Sequence, residues 1–145
     1  MTKFNFKLER VLNYKKTVED YKKNKFGLVQ QKLNREEAIL NDFNVCKESV
    51  LNEKSNSNLM KVGHLALYNT YINDLNLKIQ MQEQKVKEAE VELEKAKEEM
   101  IHAVKEKKIF EKLKENEFEK FTYELKKEEE KLNDTIVSFK ATTQQ

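Results

Sequence analysis

The sequence predicts an all-α fold: an antiparallel two-helix coiled-coil hairpin whose second helix is longer than the first and overhangs at the C-terminal end. Three observations carry this. The 145 residues include two glycines and no proline; proline breaks helix interiors and glycine weakens them. A stripe of apolar or small residues, stepping by three and four, runs through residues 72–110. One cluster of turn-forming residues, Ser55-Asn56-Ser57-Asn58, separates two long helical patterns.

Composition narrows the function classes. With 37% charged and 38% hydrophobic residues, the chain is better suited to a two-helix seam than to a globular core. A single domain over 1–145 is expected from the length. The 28 basic and 26 acidic residues are interspersed, so no broad basic face invites nucleic acid. No apolar run has membrane-spanning length and no signal-peptide core is present, which reads as a soluble intracellular protein without direct membrane insertion. Cys46 is the only cysteine, which rules out an intrachain disulfide and a Cys-cluster metal site.

Helix one is predicted over about 4–53 from its apolar spacing. Phe4, Phe6 and Leu8 alternate; Val11, Tyr14, Val18, Tyr21, Phe26, Val29, Leu33, Leu40 and Phe43 then continue at helical spacing. Val18, Val29, Leu40 and Leu51 lie eleven apart, a period that predicts a locally straighter helix than a strict heptad. Ser and Asn side chains compete for backbone hydrogen bonds, so the corner falls at about 54–62.

Helix two is predicted over about 63–139, with a frayed tail at 140–145. Its stripe is Ile72, Leu75, Ile79, Val86, Ala89, Leu93, Ala96, Met100, Ala103 and Phe110, and only Gln82 and Lys107 interrupt it as long polar residues. A 3.5-residue period forms one narrow seam that asks for a partner helix. Folding about the corner sets Leu40 opposite Leu75, Phe43 opposite Ile72, Val29 opposite Val86, Phe26 opposite Ala89, Tyr21 opposite Ala96 and Tyr14 opposite Ala103. Large residues thereby face small ones, which fills a seam at constant separation.

In that register helix one ends near Phe4, opposite residues 111–113. Residues from about 114 to 139 are then left without an intrachain partner, although Phe118, Phe121, Leu125, Leu132, Ile136 and Phe139 keep three-four spacing. The eleven-residue step from Phe110 to Phe121 marks a stutter. An apolar stripe of that length calls for a cover.

No catalytic, cofactor or metal constellation stands out. His64 falls at the corner and His102 far along helix two, so they share neither a metal nor a proton. Glu98-Glu99 and Glu128-Glu129-Glu130 point in different directions on a helix. Gly27 and Gly63 stand alone, without a phosphate loop. Tyr68 and Tyr71, beside the seam near the corner, either cover it from the side or face a partner.

The opening Phe4-x-Phe6-x-Leu8-Glu9-x-Val11-Leu12-x-Tyr14-Lys15, with Glu19, resembles the N-terminal signature of the flagellar export protein FliJ family. Leu67-Tyr68-Asn69-Thr70-Tyr71-Ile72-x-x-Leu75 resembles that family's entry into the second helix, and Glu130-Lys131-Leu132-Asn133-Asp134 its charged C-terminal motif. The family usually continues Asp-Glu and a small residue, where this chain has Asn133-Asp134-Thr135.

The resemblance implies a non-enzymatic component of the flagellar type III export apparatus. Such a protein is stalk-like, inserts into and stimulates the hexameric export ATPase, contacts the cytoplasmic domain of the export gate protein FlhA, and handles export chaperones. It would be cytoplasmic, peripheral at the membrane-embedded gate. On the gate side it implies Leu40, Phe43, Tyr71 and Leu75, beside Tyr68. On the ring side it implies Phe4, Phe6 and Leu8 with Phe118, Phe121, Leu125, Leu132 and Ile136. Two other readings suit the same stripe: a structural coiled coil that self-associates through the overhang, and a cargo-binding secretion chaperone.

Overall fold

In the computed structural model the described residues, 3–56 and 61–144, form two α-helices, α1 (Glu9–Asn56) and α2 (Val62–Thr143). The α1 helix starts five residues later than the sequence spacing suggests. Phe4 and Phe6 alternate, which is an extended-backbone period rather than a helical one, and residues 3–6 lie outside the helix. The Glu9 amide donates to the Phe6 carbonyl at 3.2 Å and the Leu12 amide to Leu8 at 2.9 Å, closing the first turn. Glu9 itself sits in that turn, where a carboxylate complements the helix dipole.

At the corner α1 continues to Asn56, helped by Ser55 Oγ donating to the Asn52 carbonyl at 3.1 Å. Residues 57–60 of the expected corner lie outside the described residues. The Lys61 carbonyl accepts from His64 at 3.0 Å and from Leu65 at 3.2 Å, opening α2. At its far end α2 runs on to Thr143, through most of the expected frayed tail. The Thr142 and Thr143 hydroxyls return to the carbonyls of Ser138, Phe139 and Lys140, which occupies acceptors that a helix end otherwise leaves to water. Gln145 lies outside the described residues.

The chain divides into two compact units: Tyr21–Ile101, the corner unit, and Met1–Asp20 with His102–Gln145, the terminal unit. In the corner unit the helices run antiparallel. Lys22 and Lys25 reach Glu99 at 3.1 and 3.3 Å, Lys32 reaches Glu92 at 3.1 Å, and Lys54 reaches Asn69 at 2.8 Å. Leu33, Val86 and Ala89 form its core, with Leu40 and Leu93 packed against them. Leu75, Ile79 and Ala96 extend the buried face of α2. Gln82, one of the two polar interruptions of the stripe, donates from Nε2 to the Glu36 carbonyl at 2.9 Å and also to the Glu36 carboxylate.

The terminal unit is antiparallel too. Lys114 lies 2.9 Å from Glu9, Lys15 is 2.7 Å from Glu106, and Lys107 is 2.7 Å from Glu19. Phe6, Leu12 and Ala103 are buried with Glu19.

Three sequence expectations change. Tyr14 and Tyr21 do not fill the seam; they are 64% and 65% exposed. The eleven-residue spacing of α1 is not the seam either. In the corner unit the inward positions repeat by seven, through Val29, Glu36, Phe43 and Val50, while Leu51 is exposed. Finally, Phe4 does not stop at residues 111–113. Its ring meets Phe118 and Phe121, about two helical turns farther along α2. The first two have one cause: the inner face of α1 carries charged residues that an apolar stripe cannot reveal. Phe4 reaches farther because residues 3–6 leave the helix.

Candidate interaction surfaces

Near the corner, Leu40 and Phe43 are half-buried and Leu75 is buried. These three side chains therefore belong mainly to the pairing of α1 with α2. Tyr68 is half-buried and Tyr71 is about half exposed. Both line an open groove with Val50, Glu53, His64 and Leu67. A second hollow shares Tyr68 and Glu53 and is otherwise lined by Val45, Glu48, Ser49, Asn52 and Asn56. Val45 and Leu67, exposed apolar residues, are lining residues that the seam pattern misses, because they fall off the stripe on opposite helices.

Tyr71 also makes a polar contact with a residue outside that lining. The Tyr71 hydroxyl and Cys46 Sγ stand 3.5 Å apart. The hydrogen bond with Cys46 is the main cause that pushes the Tyr71 phenol above its ordinary range; the electrostatic influence of Cys46 and desolvation act the same way. A lining that combines Val50 and Leu67 with two phenols, an imidazole and a carboxylate suits a protein partner.

In the terminal unit, Phe4 stands edge-on to Phe118, with ring centroids 5.3 Å apart, and tilted against Phe121 at 5.6 Å. Phe6 is buried and Leu8 exposed. A shallow hollow beside these rings is lined by Lys3, Asn5, Glu117, Lys120 and Glu124. Beyond it Leu125 is half-buried, whereas Leu132, Ile136, Val137 and Phe139 are exposed. Leu125, Leu132, Ile136 and Phe139 keep the spacing of one helix face. Of the eight residues expected on this side, the structure gathers Phe4, Phe118 and Phe121 into one cluster. It commits Phe6 to the interior and leaves Leu132 and Ile136 open.

Ion pairs between α1 and α2 line the pairing of the two helices. Hydrogen bonds from Lys22 and then Lys25 hold the Glu99 carboxyl below the usual glutamate range; Lys15 does the same for Glu106. The hydrogen bond with Glu19 raises Lys107 above the usual lysine range. These groups hold the two helices together, and nothing in their geometry presents them to a substrate. Among the described residues, no group of three or more His, Cys, Asp or Glu could hold a metal ion. No helix there is long and apolar enough to cross a membrane.

Comparison with protein families gives a match over residues 4–145 to the family described as flagellar FliJ protein. Comparison with curated proteins and with solved structures gives no match. With essentially the whole chain matched, two antiparallel helices and the second helix the longer, the chain belongs to the FliJ family and is a component of the flagellar export apparatus.

Proposed function

We propose that this protein is the stalk-like, non-enzymatic coiled coil of the export apparatus, which inserts into the hexameric export ATPase and stimulates it. In this reading the corner surface docks on the cytoplasmic domain of the gate protein FlhA, and export chaperones are handed over along the same molecule. It works in the cytoplasm, peripheral to the membrane-embedded gate. Binding energy at separate surfaces couples ring to gate, without chemistry of its own.

The observation that carries the reading is the open stripe of α2. Leu125, Leu132, Ile136 and Phe139 share a helix face in the terminal unit, and the last three are exposed. Apolar residues repeated on one face favour burial by a partner. Replacing Leu125, Leu132 and Ile136 by Ser tests it. Stimulation of the purified export ATPase is expected to disappear while the circular dichroism of the chain stays helical. Undiminished stimulation would sink the proposal. A second copy could cover the same stripe, so sedimentation at micromolar concentration separates the readings: a stable dimer favours self-association and a monomer favours the ring.

A further inference from the structure

We infer that residues 3–5, anchored at Phe6, form a displaceable strap that occupies part of the ring-facing stripe and holds it back from its partner. This deepens the proposed function and rests on it for the identity of the partner. The strap itself stands on three observations of its own.

First, the segment has little backbone commitment. Residues 3–6 are outside α1, and the backbone hydrogen bond that ties this stretch to the helix runs from the Glu9 amide to the Phe6 carbonyl. Releasing Phe4 therefore breaks no turn of helix. Second, the segment has a fixed and a loose end. Phe6 is buried, and Glu9 is paired with Lys114 at 2.9 Å. Phe4, two residues earlier, is only half-buried. The natural hinge lies between the two rings. Third, Phe4 sits on the stripe itself. Its ring meets Phe118 edge-on and Phe121 tilted, and those residues continue through Leu125 into the open positions Leu132 and Ile136.

A partner helix laid along Leu132, Leu125 and Phe121 needs the ring faces that Phe4 covers. The cover is partial, since Phe118 remains 51% exposed. A partial cover by two aromatic contacts lowers a partner's apparent affinity without abolishing it, because only the fraction of molecules with Phe4 released can bind over the full stripe. Aromatic pairs of this geometry correspond to an effect of about tenfold on such an equilibrium.

The test uses the full chain, unaltered and with Phe4→Ala or Phe4→Trp. Two readouts are taken: fluorescence of 1-anilinonaphthalene-8-sulfonate with the chain alone, and affinity for the purified export ATPase. Phe4→Ala is expected to raise dye fluorescence severalfold and to tighten ATPase binding about tenfold, with helicity unchanged. Phe4→Trp, which keeps a ring, is expected to behave as the unaltered chain. Weaker or equal ATPase binding by Phe4→Ala overturns the strap, and weaker binding makes Phe4 part of the docking surface instead. If neither the unaltered chain nor Phe4→Ala binds the ATPase, the proposed function fails. The dye then decides the strap alone: a rise supports it, and no change overturns it.

Discussion

Lys107 Nζ lies 2.7 Å from a Glu19 carboxylate oxygen, and Glu19 is only 4% exposed. Two charges thus meet inside the seam of the terminal unit, beside buried Leu12 and Ala103. Removing one partner leaves the other charge partly desolvated, which costs more than the pair itself contributes. Glu19→Ala is expected to lower the thermal midpoint by on the order of 5 °C. The double replacement Glu19→Leu with Lys107→Met is expected to restore it. A buried polar pair also specifies register, so the apolar double variant should gain a dimer population in sedimentation. A single variant as stable as the parent would show that the pair does nothing for the fold.

The acid limit of stability follows from the flanking pairs. Glu99 faces Lys22 and Lys25, while Glu106 faces Lys15 at 2.7 Å and His102 at 3.6 Å. Both carboxyls are held below the ordinary value of 4.5. Their contribution is therefore fully present above that value and is lost as pH falls through the lowered folded values. Lys107 has the opposite sign. Its folded value lies above 10.5, so its contribution is full below 10.5 and is lost as pH rises through the folded value. The thermal midpoint should be flat with respect to these groups between the two limits. Lys22→Met and Lys15→Met should each reduce the acid-side slope; an unchanged slope would remove these pairs from the account.

The α2 side of the seam was legible in the sequence because it is mostly apolar or small and strictly periodic. Leu75, Ile79, Val86, Ala89, Ala96 and Ala103 are all buried. The α1 side was not, because Lys15, Glu19, Lys22 and Glu36 take inward positions and a search for apolar residues passes over them. Helical spacing picks out Tyr14, yet Leu12, 1% exposed, is the buried residue of that turn. The polar interruptions Gln82 and Lys107 call for polar partners on α1, which are Glu36 and Glu19. At the candidate surfaces, Tyr68 and Tyr71 were visible as aromatics beside the stripe. The seat of Phe4 on Phe118 was not, since it depends on residues 3–6 leaving the helix.

Small residues on α2 set how closely the helices pack in the corner unit. Leu33 packs with Val86 and Ala89. Leu33→Ala should destabilise the protein by about 2–4 kcal/mol through lost burial and a residual cavity. Ala89→Leu adds volume where Leu33 already sits and should cost about 1–3 kcal/mol. Combining the two exchanges large for small across the seam and should cost less than the sum of the single losses. Urea denaturation of the four chains gives the coupling, and strict additivity would mean that these positions do not share one space.

Gly27 lies in α1, where a glycine weakens the helix through backbone entropy. A Cβ at this position meets nothing within 4 Å. Gly27→Ala should therefore stabilise the chain by about 0.5–1 kcal/mol, measured by urea denaturation. A loss of stability would indicate that something besides the chain's own helices needs the space.

Tyr71 separates docking from folding at the corner, because it is about half exposed while Leu75, one turn on, is buried. Truncating Tyr71 removes the hydroxyl contact with Cys46 and one wall of the groove lined by Val50, His64 and Leu67. About half of its surface is open to solvent, so Tyr71→Ala should leave helicity intact. If the corner docks on the gate protein, a tyrosine lining the groove that the partner fills carries a large share of the binding. Affinity for the purified FlhA cytoplasmic domain should fall about tenfold or more. Tyr71→Phe should keep most of that affinity, since it retains the ring and loses only the Cys46 contact. Equal binding by all three proteins would move the gate-facing surface away from this groove, whereas a fall in Tyr71→Phe as large as in Tyr71→Ala would assign the effect to the hydroxyl.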